Sequence, residues 1–168
     1  MKTGILITLV TCNGLLLAQS FMPDQKNAPL AIINETPSMQ KGLYVRTGDA
    51  TDLKRGEIVA MPMPKNAKAY LVEKLGYPAD TLLIKRVAAL PGDIVCRQKD
   101  TLTVVGKTLQ AKARDRRGNV LPKWSGCHKL TSEEIFIHGD HPGSFDSRYF
   151  GPVSQRALSG TFRQVLSW

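Results

Sequence analysis

Apolar and polar residues alternate over short distances through most of this chain. The pattern is clearest in "GLYVR" from Gly42, "GEIVAM" from Gly56, "AYLVEKL" from Ala69, "TLLIKRVAAL" from Thr81, "GDIVCR" from Gly92, "TLTVVG" from Thr101, "EIFIHG" from Glu134 and "TFRQVL" from Thr161. Gly, Pro, Asp and Asn punctuate the gaps, as expected for short strands joined by turns. "TVVGKTL" reads as a hairpin turning near Gly106. Beyond the N-terminus no sustained helical period is visible, so the expectation is a mainly β domain.

"TLLIKRVAAL" is the most informative of these runs. In a strand, alternate side chains share a face. Leu83, Lys85, Val87 and Ala89 then lie on one side, with Leu82, Ile84, Arg86 and Ala88 on the other. Each face is apolar but for one cation, so the strand reads as buried on both sides. Arg86 stays protonated and calls for a carboxylate or carbonyl partner. Lys85 can lose its proton. Burial disfavours its charged form and moves it toward the range where a neutral amine acts as a base. A lysine snorkelling from a strand end would look the same.

The N-terminus breaks the β pattern. From Lys2, "MKTGILITLVTCNGLLLAQSFMPD" carries no further charge until Asp24. As a helix, 4–23 would span roughly 30 Å, about the thickness of a bilayer core. Thr8, Thr11, Asn13 and Gln19 weaken it as a span, and the small residues Ala18 and Ser20 suit leader removal after Ser20. Residues 1–23 therefore read as a signal peptide or a membrane anchor, and 24–168 as the exported domain, with Lys2 left on the cytoplasmic side.

Composition adds less. A hydrophobic fraction of 42% supports a real core and argues against disorder. The net charge of +9 is concentrated in "KTLQAKARDRRGNVLPK", Lys107 to Lys123. Behind an export signal, nucleic acid is not an expected partner. Anionic lipid or an acidic partner fits better, and an ordinary solvated loop fits that segment alone. Cys12 falls in the apolar run. Cys96 and Cys127 remain, and in an oxidising compartment two such thiols can pair. The histidines lack ligand spacing and there is no Cys-x-x-Cys, so neither metal nor cofactor is expected.

Ser38 lies in "NETPSMQKGLYVR", and a serine hydroxyl needs a base before it becomes a nucleophile. Three blocks taken together, "TPSMQKGLY", "LLIKRVAALPGD" and "GDHPGSFDSRYFGPV", resemble those of the type I signal peptidase family in the same order. That resemblance implies a signal-peptidase-like β-fold behind an N-terminal apolar helix, and a Ser/Lys dyad working on the periplasmic side of the bacterial cytoplasmic membrane. By position, Ser38 matches the nucleophile and Lys85 the general base. Thr36 matches a hydroxyl that binds the oxyanion with the Ser38 N–H, and Ser144 a hydroxyl that orients the lysine amine. Asp146 and Arg148 match a supporting pair. Neither His138 nor His141 has a role in that scheme, and loop packing accounts for both.

Departures from the usual pattern point to a subgroup. Leader peptidases commonly carry proline where this chain has Lys41, the chain lacks a sizeable insertion, and the last block is one residue short. "S-M-x-x-G-L-Y" in a compact domain resembles the TraF subgroup of conjugative-transfer peptidases. The implied substrate is a pilin precursor or another exported pre-protein, processed by cleavage or by cyclisation through acyl transfer. Three alternatives stand beside this: a general leader peptidase, a self-cleaving repressor of the same β-fold, and a non-catalytic assembly factor of a secretion channel. The repressor fits poorly, because only Asp24–Pro37 separates the apolar segment from Ser38.

Overall fold

A computed structural model describes residues 28–168. The expected signal or anchor at 1–23, with Cys12, lies outside the described residues. No helix among the described residues is long and apolar enough to cross a membrane.

The chain order is β1 (Ala31–Asn34), β2 (Gly42–Gly48), β3 (Ile58–Pro62), α1 (Lys65–Leu71), β4 (Leu82–Ala89), β5 (Ile94–Gln98), β6 (Thr101–Val104), β7 (Lys107–Gln110), β8 (Gly126–Lys129), β9 (Glu134–His138), α2 (Ser147–Phe150), β10 (Val153–Ser154) and β11 (Gly160–Ser167). The strands form two sheets. The larger has seven strands in the order β1-β2-β11-β3-β4-β9-β10, and the smaller has four in the order β7-β6-β5-β8. All pairings within them are antiparallel.

Apolar side chains on one face of the large sheet meet Val95, Leu102 and Val104 from the inner face of the small one, and together they make the main core. Met39, Tyr44, Ala60, Ile84 and Phe162 form a second, smaller core on the opposite face of the large sheet. β4 therefore contributes Leu83, Val87 and Ala89 to one core and Ile84 to the other, as its sequence predicts. Val105 and Gly106 close the β6–β7 hairpin with φ of 47° and 74°. This left-handed pair matches a type I′ turn, although a β-branched residue rarely adopts it.

Two expectations need correction. "AYLVEKL" is not a strand: it begins inside α1 and continues in turns. Ala67, Tyr70 and Leu71 are buried, and their spacing of three and four puts them on one helical face. A helix of two turns is too short to announce itself as a sustained period. The second concerns what was overlooked: β1, β8 and β10 are short strands at or near sheet edges that no alternation singled out.

Candidate active site

The nucleophile candidate sits in the connection between β1 and β2, and Asn34 at the end of β1 holds that connection in shape. Asn34 is buried, and its amide nitrogen donates to the carbonyls of Thr36 (2.9 Å), Met39 (3.1 Å) and Gln40 (3.1 Å). Its side-chain oxygen accepts from the Thr36 N–H (3.2 Å) and the Thr36 hydroxyl (2.8 Å). Tyr44 reaches back from β2 to donate to Gln40 O at 2.6 Å. Met39 fills the smaller core, so the residue before it turns the other way. Ser38 is left half-buried on the wall of a cleft, open to a substrate.

Lys85 reaches the same cleft from the middle of β4. Its side chain is 3% exposed, and Nζ donates to Ser38 Oγ at 3.2 Å and to Ile84 O at 2.9 Å. Burial lowers its pKa from 10.5 to about 8; the nearby Arg148 guanidinium adds to the lowering, while the carboxylates of Asp146 and Asp140 oppose it. A substantial fraction of the amine is therefore neutral just above neutral pH. Thr36 Oγ1 lies 2.9 Å from Ser38 Oγ. A hydroxyl has one proton, and here it points at Asn34. To serve an oxyanion, the Thr36 O–H must rotate.

The third wall is the loop between β9 and α2. Asp146 is fully buried and caps α2 through the Arg148 N–H (3.1 Å). Its carboxylate also accepts from Arg148 Nε (2.8 Å), Arg148 Nη2 (2.8 Å) and the Gly139 N–H (2.8 Å). The Arg148 guanidinium in turn donates to the carbonyls of Pro142 (2.9 Å), His141 (3.2 Å) and Ser144 (3.1 Å). Asp146 and Arg148 thus lace both ends of the loop together. The loop then meets the nucleophile segment, where the His141 N–H donates to Ser38 O at 3.2 Å.

Ser144 differs from its expected place. It lines the cleft with Lys85, but its buried hydroxyl has no hydrogen-bond partner. The contact with the lysine amine is not formed; the Ile84 carbonyl holds Nζ instead. Ser144 Oγ lies close against Gly139, where an added Cβ would fall 2.2 Å from it and 2.5 Å from Ser38 O.

Three residues of the site escaped the sequence reading. Asn34 had only its place before the Thr–Pro–Ser run as a signal. Gly139 is needed for the close approach just described. Asp140 binds the Arg86 guanidinium in a two-pronged pair at 2.9 and 2.8 Å, while Arg86 also donates to Gly56 O at 2.8 Å. Arg86, half-exposed, therefore finds both kinds of partner expected of it, a carboxylate and a carbonyl. His138 and His141 bond within their own loop, His138 to Gly139 O and His141 to the Gly143 N–H. Cys96 and Cys127, opposite one another on β5 and β8, form a disulfide. Among the described residues no cluster of His, Cys, Asp or Glu is arranged to hold a metal.

A buried amine thus lies 3.2 Å from a half-buried serine hydroxyl on a two-sheet antiparallel scaffold. The chain belongs to the signal peptidase family, peptidase S26, whose pattern it matches over residues 3–168. Among its relatives are the conjugal transfer protein TraF of Agrobacterium fabrum, 30% identical over 81% of this chain and 82% of that one, and the plasmid transfer protein TraF of Escherichia coli, 31% identical over 82% and 84%. Signal peptidase I V of Bacillus subtilis is 33% identical over a shorter stretch, 49% of this chain and 56% of its own.

Proposed function

We propose that this chain is a serine endopeptidase that uses Ser38 as nucleophile and Lys85 as general base to mature a pilin precursor in conjugative transfer. The observation that carries the reading is the 3.2 Å contact between Lys85 Nζ and Ser38 Oγ inside a site that depresses the lysine pKa to about 8. The neutral amine takes the Ser38 proton as Oγ attacks the scissile carbonyl. The oxyanion then forms against the Ser38 N–H and a rotated Thr36 hydroxyl. The ammonium returns its proton to the leaving amine, and the acyl-enzyme passes to water or to the substrate's own amine. Water gives a linear product, whereas the amine gives a cyclic one. Likeness to two transfer proteins favours a role in conjugative transfer over that of a general leader peptidase, and a pilin precursor is the substrate we propose for that role. The catalytic domain works on the periplasmic side of the cytoplasmic membrane, tethered or delivered by residues 1–23.

Co-expression with a candidate pilin precursor tests this, with the product read by mass spectrometry. Wild type should shorten the precursor, and Ser38→Ala and Lys85→Ala should each leave it intact while the domain stays folded. Processing that persists in Ser38→Ala removes the peptidase reading and favours a non-catalytic assembly factor. A product lighter by one water than the linear chain assigns cyclisation.

A further inference from the structure

A second cavity, of about 610 Å³, opens beside the catalytic cleft. The two share a wall made by Pro37, Tyr70, Tyr77, His141, Gly143 and Phe145, so a chain lying in one runs into the other. The far wall comes from the basic segment between β7 and β8, which contributes Lys112, Arg116 and Arg117.

That segment is a built feature. Asp115 accepts from the Tyr70 hydroxyl (2.9 Å), from Asn119 Nδ2 (2.8 Å) and from the N–H groups of Arg117 (2.8 Å) and Asn119 (2.9 Å). Arg114 pairs with Val120 across the turn, Arg114 Nη1 donates to Gly118 O at 2.7 Å, and the Lys112 N–H donates to the Tyr149 hydroxyl at 3.2 Å. Asp115, the only carboxylate lining this cavity among the described residues, is thus committed to holding the loop. Lys112, Arg116 and Arg117 are exposed, and none joins an ion pair among the described residues. Three cations against the one ionised carboxylate of Asp115 leave a net positive charge around a concave, aromatic-floored pocket, a field that favours anions.

We infer that this cavity is a docking subsite for acidic side chains of the polypeptide substrate, taking Asp or Glu a few positions from the bond that is cut. The inference rests on the peptidase reading for its substrate, but its test does not. Concavity and continuity with the catalytic cleft favour an extended chain over a membrane surface.

Fluorescent alanine-rich peptides that differ only in a Glu-Glu or a Gln-Gln pair are titrated by anisotropy against the full-length protein carrying Ser38→Ala, in detergent. The Glu-Glu peptide should bind about tenfold more tightly, and the ratio should shrink at high salt. Adding Lys112→Ala, Arg116→Ala and Arg117→Ala should bring the ratio close to one, whereas Arg163→Ala, a cation elsewhere, should leave it unchanged. Equal affinities, or a preference that survives the triple substitution, overturn the subsite. So does a triple variant that loses only its binding to phosphatidylglycerol vesicles, which would make the patch a lipid contact. Cleavage by the wild type separates the two readings. Preference without cleavage keeps the subsite and sinks the peptidase, and cleavage without preference does the reverse.

Discussion

At the scale of single residues the proposed chemistry centres on Lys85, and its burial makes two linked predictions. With the neutral amine as the proposed base, kcat/KM should rise with pH and reach half its plateau near the depressed pKa of about 8. A profile without a rising limb would place the base elsewhere, and Lys85→Arg should be inactive at every pH because a guanidinium stays protonated. The same shift governs stability. Between about 8 and 10.5 the unfolded lysine holds a proton that the folded one has released, so folding stability rises with pH through that window. Below it, the buried ammonium costs on the order of 3 kcal/mol. Lys85→Met should therefore unfold at higher denaturant than wild type at pH 6 and lose that advantage as pH approaches 10. Thr36 and Asn34 act on the same hydroxyl. Thr36→Val should cut kcat roughly 10²-fold by removing one oxyanion donor, with Thr36→Ser much milder. Asn34→Ala removes the groups that pin Thr36, Met39 and Gln40, so it should lower kcat and stability together, unlike Thr36→Val. Steady-state kinetics beside urea melts distinguishes the two.

Among the elements, the site is built from one strand and two loops. β4 is paired along both edges, to β3 and β9, and buries its Leu83–Lys85–Val87–Ala89 face, which fixes Lys85. The β1–β2 connection and the loop before α2 are anchored by Met39 and Phe145 packing into the cores, by the Asp146–Arg148 pair, and by hydrogen bonds that need the close approach at Gly139. Gly139→Ala would push Ser144 and the Ser38 carbonyl apart, since its Cβ would fall 2.2 and 2.5 Å from them. Catalysis should fall more steeply than the melting temperature. The small sheet depends on different physics. All four residues of β8 are exposed, so its ladder to β5 and the Cys96–Cys127 bridge hold it with little help from burial. The bridge closes a loop with a sequence separation of 31, for which chain entropy predicts about 3–4 kcal/mol. After reduction, hydrogen exchange should speed up first at Gly126–Lys129, with β3, β4 and β9 still protected.

For the whole molecule, one buried polar chain ties the two sheets to the site. Arg97, on the inner face of β5, donates to Arg148 O at 2.5 Å, and Arg148 and Asp146 grip the loop that carries Ser144. Burial lowers the pKa of Arg97, which has carbonyl rather than carboxylate partners. Burial also works against the charge on Arg148, but the hydrogen bonds and charge of Asp146 outweigh it and raise its pKa. Removing one member of such a pair strands the other, at a cost of roughly 3–5 kcal/mol. Asp146→Ala should therefore lose cooperative unfolding of the whole domain, which a denaturant titration will read, and not merely activity.

What the sequence determined by itself was everything written in local alternation or in a fixed order of short blocks. The burial of the Lys85 face of β4, the turn near Gly106 and the type of most strands follow from side chains alternating across a pleat, whereas the Arg86 face is buried only at Ile84. The family resemblance rests on order along the chain, so Ser38 and Lys85 could be named before any coordinates, and the structure brings those two together. α1 was missed because two turns leave too few apolar positions to establish a period, and β8 because an exposed strand has no apolar face to alternate. Asn34, Gly139 and the Arg97–Arg148 contact were illegible for another reason. Their significance lies in distances between segments far apart in sequence, which only packing sets. The same holds for Ser144, whose hydroxyl is wedged against Gly139 while Ile84 O holds the amine. It holds too for the basic segment, which read as a solvated loop until Tyr70 was seen to tether Asp115 beside the catalytic cleft. Local pattern decides which residues form strands and which are buried; tertiary contact decides which polar atoms meet, and the chemistry of this site depends on those meetings.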